Sequence, residues 1–435
     1  MGKKELVRNT ALLTVSSVVM RALAMLWQAW LARRAGAAGV GLCGLVMSVG
    51  FFFGTLALGA ARFSVTRLLS EELGRGREGS TGPVMLRAAA YALTCGVLAA
   101  AALWCLAGPV GTLWIGDGRT VPALRRLALG LPAGALTATL SGYFTAVGRV
   151  WKSAAEQLAE QLFRMGVRAF FLLRTSAADP GAVCAALTLA GTAADYVGAW
   201  TMGALYALDR RGRSKAGPAG PDLTARLVRL ALPVWVGAVT RNALGTLRQT
   251  AVPRGLRASG FTAEAALAGY GAVSGMALPL LLFPACLPGA VAELLVPALT
   301  RLQARGETAA LRERVRALLR GTFLLSLAAS AVFFLAADVL GGVLYRSREA
   351  AKYIRILSPM AAFLYTDIVT DGCLKGLGEM LRSMTYNVAE AVLGLALTWT
   401  LLPRYALAGY ILTLYVCEIF NFTLSITRLK KVLGL

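Results

Sequence analysis

The 435-residue sequence lacks histidine entirely, which excludes histidine-ligated metals, Ser-His catalysis and histidine proton relays. Its seven cysteines all lie in apolar segments without a CxxC pair, so we expect small buried side chains and no disulfide. Acidic residues number 22 against 45 lysines and arginines, and charged residues make up only 15% of the chain. We predict neither an enzyme nor a metal site nor a cofactor.

Long apolar runs are abundant instead. Hydrophobic residues make up 57% of the chain and the mean hydropathy is +0.64, as is typical of a polytopic membrane protein. Apolar stretches of about 20 residues or more are long enough to cross a bilayer as helices. We predict an all-α fold with about twelve transmembrane helices, the eighth broken by prolines, at residues 8–32, 39–63, 83–107, 122–147, 154–174, 181–207, 227–250, 265–298, 318–344, 352–374, 383–402 and 406–427.

Basic residues predict the orientation and the surroundings of these helices. The polar segments before, between and after the spans lie alternately on the two sides of the membrane. The side that includes both termini carries about twice as many Lys and Arg residues as the other, which predicts that both termini are cytoplasmic. The net charge of +23 suggests nucleic acid as a partner, but the charges flank apolar spans in short loops. We therefore expect contact with anionic membrane lipids and not with nucleic acid. The segment 305–320 reads as a short interfacial helix.

A repeat becomes visible when the chain is shifted by 221 residues, because Leu6-Val7-Arg8 then falls on Leu227-Val228-Arg229 and Gln28 on Gln249. Six spans per repeat give both halves the same orientation, with a substrate site between them. We predict two pseudo-symmetric six-helix lobes around a central cationic cavity, residues 1–208 and 223–435, joined by a cytoplasmic linker at 209–222.

Arginines inside the apolar runs are the main candidates for a binding site. A charge near the bilayer centre costs about 2.5 to 3.5 kcal/mol on insertion scales, so such residues usually face a cavity or a partner. Arg21 aligns within one position of Arg241 in the repeat, which suggests a clamp for an anionic group, and these two and Arg248 have no obvious local acid. The predicted substrate-binding residues are Arg21, Arg62, Arg164, Arg168, Arg241 and Arg248.

Acidic and amide side chains in the spans are candidates for ion coupling or for structural pairing. Glu156, Glu160, Arg164 and Arg168 are spaced by four and share one helical face, so they form either a self-neutralising ladder or part of a site. Asp195 is expected to pair with this span or to take up a proton. Oxygen ligands of the kind that Na⁺ needs are offered by Asn387, Glu390, Glu418 and Asn421, while Asp367 and Asp371 share a face with Lys375.

Three stretches carry a resemblance to a known family. They are Arg21 to Ser70-Glu71-Glu72-Leu73-Gly74-Arg75-Gly76; Gly142-Tyr143-Phe144 with Glu156-Gln157 and Glu160-Gln161-Leu162-Phe163-Arg164; and Val252-Pro253-Arg254 with Tyr270 to Pro279 and Leu295-Val296-Pro297-Ala298. Over nearly its whole length the chain resembles the stage V sporulation protein B group of polysaccharide and lipid-oligosaccharide flippases. That group lies within the multidrug/oligosaccharidyl-lipid/polysaccharide flippase superfamily.

The resemblance implies a two-lobed bundle that opens its cationic cavity alternately to the two sides of the bacterial plasma membrane. It implies an undecaprenyl-pyrophosphate-linked sugar as the substrate, either the peptidoglycan precursor lipid II or a polysaccharide repeat unit. Relatives commonly have fourteen spans, and some hold sodium with acids of spans seven and eleven. Here the span-seven stretch Arg248-Gln249-Thr250-Ala251 has no acid. A sodium site of the family type is therefore not expected here, and the sequence leaves coupling to Na⁺, to protons or to the membrane potential as alternatives.

Three functions remain as hypotheses. The first is a lipid-linked oligosaccharide flippase acting as a monomer in wall growth, sporulation or polysaccharide export, with cavity arginines on the pyrophosphate. The alternative is a cation-coupled multidrug exporter of the same fold, which would favour acidic pockets. The third is a membrane glycosyltransferase or polymerase, which needs a carboxylate base on a sizeable outer loop or a metal-binding acidic motif. The outer loops predicted here are short.

Overall fold

The computed structural model describes residues 3–175, 179–211, 222–304 and 307–434, and in this part the chain is helical without strands. The sequence consists of long apolar runs separated by short polar segments. It lacks the alternation of apolar and polar residues that is typical of half-buried strands. The α-helices are α1 Lys3–Leu58, α2 Ala61–Gly74, α3 Thr81–Pro109, α4 Val121–Ala146, α5 Val150–Leu173, α6 Pro180–Arg211, α7 Leu223–Ala258, α8 Ala263–Tyr270, α9 Leu278–Leu282, α10 Cys286–Ala304, α11 Thr308–Leu335, α12 Ala337–Leu340, α13 Arg348–Leu357, α14 Met360–Gly376 and α15 Met380–Leu433.

Eight helices in the described ranges are long and apolar enough to cross a membrane. Two of them, Val19–Gly74 and Met380–Leu433, each contain two of the apolar segments that the sequence predicted as separate spans. In α1 the two segments meet at Gly36, with φ 68°, and in α15 they meet at Ala406, with φ 50°. Positive φ is easily adopted by glycine but costs a residue such as alanine about 1 to 2 kcal/mol. The all-α membrane fold is confirmed.

The eighth predicted span is interrupted where its prolines indicated. α8 continues through a wide helical turn, Gly271–Ala277, into α9, and the helix then breaks between Leu282 and Cys286, around Pro284. Proline cannot donate the helical hydrogen bond and crowds the preceding turn. Gly271 lies against the backbone of Ala37 and Gly41, so any side chain there would collide with main-chain atoms. Gly271 thus allows close packing of two helix backbones, as small residues commonly do in membrane helices.

The chain divides into two compact units. Unit 1 consists of Met1–Met20 with Leu45–Thr246, and unit 2 of Arg21–Gly44 with Leu247–Leu435. Helices α1 and α7 therefore each contribute residues to both units, whereas the lobes predicted from the repeat, 1–208 and 223–435, assign each helix to one lobe. Most of the predicted linker, residues 212–221, lies outside the described residues.

Each unit has its own apolar core. In unit 1, α2, α3, α4 and α6 pack side chains such as Leu69, Tyr143 and Met202 against the start of α7. In unit 2, α10, α11, α14 and the end of α15 surround Val315 and Cys373. Val315 is fully buried there, and the basic segment that the sequence predicted as a separate interfacial helix instead forms the first turns of α11. Its apolar stripe packs on the core of the unit, because Leu311 and Val315 find partners in α14 and α15.

Candidate functional site

The polar ladder of α5 is the most strongly charged feature inside unit 1. The helix follows a tight turn in which Gly148 has φ 74°, and residues four apart then lie on one face. Arg164 forms ion pairs with Glu160 on its own helix and, at 2.8 Å, with Asp195 on α6. The expected pairing of Asp195 with this span is therefore seen. One guanidinium serves two carboxylates, so Arg164 is locally neutralised.

Glycines of the neighbouring helices leave the space that this network occupies. A Cβ on Gly198 of α6 would lie 3.1 Å from the carboxyl carbon of Glu160, and a Cβ on Gly130 of α4 would lie 2.6 Å from Oδ2 of Asp195. A Cβ on Gly191 would lie 3.3 Å from Nη2 of Arg168. Gly191 and Gly198 are seven residues apart and hence on one face of α6. These glycines were not among the residues predicted for the site. The i, i+7 spacing of Gly191 and Gly198 could have indicated that they share a face.

A cavity of about 230 Å³ lies beside the network in unit 1. Its polar wall consists of Arg164, Arg168, Asp195, Thr188 and Thr192, and its apolar wall includes Gly50, Phe51 and Gly54 of α1. Gly54 has open space where a Cβ would stand, whereas the space beside Gly50 is filled by Leu127. Two of the predicted substrate-binding arginines therefore face one cavity, and it has room for a small anionic group.

The corresponding polar region of unit 2 contradicts one expectation. The sequence showed no acid near Arg248, but its Nη1 atom lies 2.6 Å from Oε1 of Glu390, 142 residues further along the chain. α7 and α15 bring the two together, and a Cβ on Gly394 would lie 2.8 Å from Nη1 of Arg248. Arg248 is thus a paired cation. Glu390, predicted as a coupling acid, is its partner.

Several oxygen atoms near this pair lack hydrogen-bond partners. The Asn421 amide donates to Oδ2 of Asp367 at 2.9 Å and lies 3.5 Å from Oδ1 of Asn387. Oδ1 of Asp367, Oε1 of Glu418 and Oδ1 of Asn421 are buried and accept no hydrogen bond from the part of the chain that the structure describes. Asp371, in contrast, is held by Lys375 at 3.1 Å, as the shared helical face predicted, and by Ser383. Of the two acids that share a face with Lys375, Asp371 pairs with it, whereas Asp367 lies beside Asn421.

Three of the predicted arginines differ from the paired ones. Arg21 of α1, Arg62 of α2 and Arg241 of α7 are exposed, and none has an acid within ion-pairing distance among the described residues. Arg21 belongs to unit 2, whereas Arg62 and Arg241 belong to unit 1. These three side chains can bind an external anion without first losing an internal partner.

Acids at the helix ends have structural partners. Glu72, which is fully buried at the end of α2, pairs with Arg226 of α7 at 2.6 Å and accepts a hydrogen bond from Ser80 at 3.0 Å. Glu379, between α14 and α15, pairs with Arg428 at 2.7 Å, and this hydrogen bond lowers the pKa of Glu379 below its ordinary value of 4.5. These pairs join helices that are distant in sequence. The sequence analysis had noted Glu71 and Glu72 only as part of a family motif.

The structure offers no obvious site for a metal of the kind held by several acidic or sulfur ligands. Across the described ranges, no group of three or more Cys, Asp or Glu side chains is arranged to hold a metal ion. The seven cysteines are free thiols.

Comparisons with known proteins define first the class of this fold. A solved structure described as the inward-facing conformation of a multidrug resistance MATE family transporter of the MOP superfamily aligns with a TM-score of 0.71, covering 95% of each chain at 14% identity. The fold is therefore that of a helical membrane transporter.

Sequence comparisons add similarities to a family model and to two named proteins. Residues 256–400 match the family model described as MatE. Stage V sporulation protein B of Bacillus subtilis (strain 168) is 22% identical over 414 residues, 94% of this chain and 80% of that protein. Sporulation protein YkvU of the same organism is 22% identical over 285 residues, 64% of each. The matches support the resemblance read from the sequence motifs, and the chain is similar to these proteins over most of its length.

Proposed function

We propose that this transporter flips an undecaprenyl-pyrophosphate-linked sugar across the bacterial plasma membrane by alternating access, with both termini in the cytoplasm. The observation that carries the proposal is that three of the arginines predicted for substrate binding, Arg21, Arg62 and Arg241, are exposed and have no acidic partner in the described residues. Guanidinium groups bind phosphate oxygens through two parallel charge-assisted hydrogen bonds. A pyrophosphate headgroup is an anion that can pair with these cations. The similarity to a sporulation protein supports the same proposal.

The paired arginines have other roles in this proposal. Arg164 and Arg248 hold acids of their own unit and preserve the packing of α5 on α6 and of α7 on α15. Arg168 stands beside Arg164 in the cavity of unit 1, where it can add a cation for the headgroup. The proposed order of importance for substrate binding is therefore Arg21, Arg241 and Arg62 first, Arg168 next, and Arg164 and Arg248 last.

Unit 2 supplies groups for coupling to a cation. The buried, unpartnered oxygens of Asp367, Glu418 and Asn421 are hard ligands that suit Na⁺, and the two carboxylates can instead bind protons. We propose that cation binding at these side chains, with Asn387 and Glu390 beside them, is linked to transport. The expected result is that a Na⁺ or proton gradient accelerates flipping by the native protein and not by the Asp367→Asn/Glu418→Gln variant.

Transport by purified protein in liposomes tests the flippase proposal. A fluorescent undecaprenyl-pyrophosphate-linked sugar is incorporated in both leaflets, and flipping is read as access of a membrane-impermeant quencher. Arg21→Gln and Arg241→Gln should each reduce the flipping rate about tenfold or more, because each removes about 1.5 to 3 kcal/mol of charged hydrogen bonding. Their melting temperatures should stay within about 2 °C of that of the native protein.

The matched control is Arg87→Gln, since Arg87 is an exposed arginine in another apolar helix, α3, without an ion pair in the described residues. It should flip the lipid at the native rate. Native flipping rates in both Arg21→Gln and Arg241→Gln would refute the arginine mechanism.

The multidrug exporter remains the second candidate, and one observation favours it. A groove of about 610 Å³ between α5 and α6 is lined by Trp151, Trp200 and Phe163 with Glu156 and Glu160 among them. Aromatic rings and carboxylates together suit organic cations. Efflux of a fluorescent organic cation from loaded liposomes, unaffected by Arg21→Gln and abolished by Glu160→Gln, would favour this function over lipid flipping.

A further inference from the structure

The α5–α6 network contains one more carboxyl group than its arginines can neutralise. Three acids, Glu156, Glu160 and Asp195, accompany two cations, Arg164 and Arg168. Arg164 binds both Glu160 and Asp195, and Arg168 also interacts electrostatically with Asp195. The neighbouring cation Lys152 is engaged by Asp209 at 2.6 Å, together with Arg149. Glu156 is therefore the acid without an ion pair among these residues.

Glu156 is also the most deeply buried of the three acids, with 6% of its surface exposed. Its Oε2 atom is buried and has no hydrogen-bond partner among the described residues. The like-charged Glu160, one turn along the helix, acts on it electrostatically, and both carboxyls face Gly198, whose added Cβ would lie 3.3 Å from Oε1 of Glu156. An ionised, unpaired carboxylate in such a place loses its hydration without compensation, whereas a neutral carboxylic acid does not.

The single polar contact of Glu156 fits the neutral acid. Oγ1 of Thr201 lies 3.4 Å from Oε1 of Glu156 and 3.0 Å from the carbonyl oxygen of Gly198. A hydroxyl has one proton to donate, and the closer carbonyl can only accept. With that proton given to Gly198, the hydroxyl presents a lone pair to Glu156. A protonated Glu156 can then donate to Thr201, whereas an ionised one can only share, at 3.4 Å, the proton that the hydroxyl gives to Gly198 at 3.0 Å.

We propose that Glu156 is a proton-binding site, occupied by one proton in the conformation of this structure. The groove between α5 and α6 gives the site its route of exchange, because Glu156 and Glu160 both line it and its mouth lies among the exposed side chains of Trp151, Trp200 and Leu208. Water entering this groove would solvate the carboxylate and allow the proton to leave. Among the described residues, Lys152 and Glu160 line the same groove as Glu156, and Arg164 acts on it electrostatically. Asp195 of α6 is linked to this group through Arg164 and Asp209 through Lys152, and Tyr143 of α4 bonds to Asp209 at 2.9 Å.

Small side chains explain why the groove exists. Ala155 and Ala159 on α5 and Ala204 on α6 line it, where longer side chains would let the helices close over the carboxyl groups. The site goes beyond the proposed lipid transport, since its ligand is a proton and its occupancy does not require any lipid substrate.

Infrared spectroscopy of the full-length protein in lipid nanodiscs tests the proposal without a transport assay. A protonated carboxyl absorbs at the carbonyl stretch of a carboxylic acid, and an ionised one at the separate carboxylate stretches. The spectrum of the native protein minus that of Glu156→Gln at neutral pH should contain the acid band of one carboxyl group and no carboxylate band. The opposite difference spectrum, with a carboxylate band lost, would overturn the proposal.

Two further variants keep the result interpretable. Glu264→Gln, at an exposed position near the start of α8, should remove a carboxylate band and leave the acid band intact. If Glu156→Gln does not fold, Thr201→Val serves in its place. It should shift the acid band of Glu156 to higher frequency, because the carboxylic acid loses its acceptor. An acid band unchanged by Thr201→Val would overturn the proposal.

Discussion

The two compact units both contain an arginine within a membrane helix, but they neutralise it in different ways. Arg164 of unit 1 is held by Glu160 one turn away and by Asp195 of the adjacent helix α6. Arg248 of unit 2 is held by Glu390, which belongs to a helix 142 residues further along. Unit 1 therefore has a redundant local network with an additional acid, and in the described residues of unit 2 Arg248 has one long-range ion pair, with Glu390. Redundancy predicts tolerance of substitution in unit 1 and sensitivity in unit 2.

The largest expected effect comes from breaking the unit 2 pair. Arg248→Leu leaves Glu390 as an unpaired, largely desolvated charge, so we expect a loss of about 3 kcal/mol in the free energy of unfolding. The double variant Arg248→Leu/Glu390→Leu should recover most of it, because no charge remains unpaired. Denaturation in detergent followed by circular dichroism measures both. Arg254→Leu, an exposed arginine on the same helix, is the control and should change little. Equal losses in the single and double variants would contradict the pair.

A steric change in unit 1 is expected to have the next largest effect. Gly198→Leu places side-chain atoms where Glu156 and Glu160 now stand, and overpacking of this kind costs about 1 to 3 kcal/mol. Gly203→Leu on the same helix meets open space and should be nearly neutral. A lower melting temperature for Gly198→Leu than for Gly203→Leu would show that the glycine face of α6 provides the space for the carboxyl groups. Similar melting temperatures for both variants would show that it does not.

Removal of one acid from the unit 1 network should cost less than removal of the unit 2 arginine. Asp195→Asn keeps the shape of the side chain and leaves Glu160 on Arg164, so we expect a loss of about 1 kcal/mol. The same denaturation measurement applies. A loss as large as that of Arg248→Leu would mean that Glu160 does not compensate and that unit 1 lacks the redundancy described above.

The smallest expected effect concerns acid stability at the helix ends. The pKa of Glu379 is lowered by Arg428, so the pair stabilises the folded state above the ordinary pKa of 4.5 and the contribution is lost as the pH falls through the lowered value. We expect the melting temperature of the native protein to fall slightly more than that of Glu379→Gln when the pH is taken below 4.5. Parallel pH profiles for the two proteins would exclude this contribution.

Much of the fold and part of the site followed from local patterns. The apolar segments lie on helices, the break near Pro284 and the contact of Lys375 with Asp371 occur as predicted, and the ladder of α5 is an i, i+4 arrangement that any helix would produce. The partner of Arg248 could not be found in this way. Ion pairs between distant helices depend on which faces pack together, and an apolar helix offers several faces that its own sequence does not distinguish.

The sequence by itself determined the membrane class, the all-α fold and the excess of cations within apolar runs, because hydropathy and charge are sums over neighbouring residues. It also indicated that Glu156, Glu160, Arg164 and Arg168 share one face. Only the tertiary structure decided that Arg164 and Arg248 are neutralised while Arg21 and Arg241 lack an acid in the described residues, and that Glu156 is left without an ion pair. Those outcomes depend on distances between helices, and packing alone sets them.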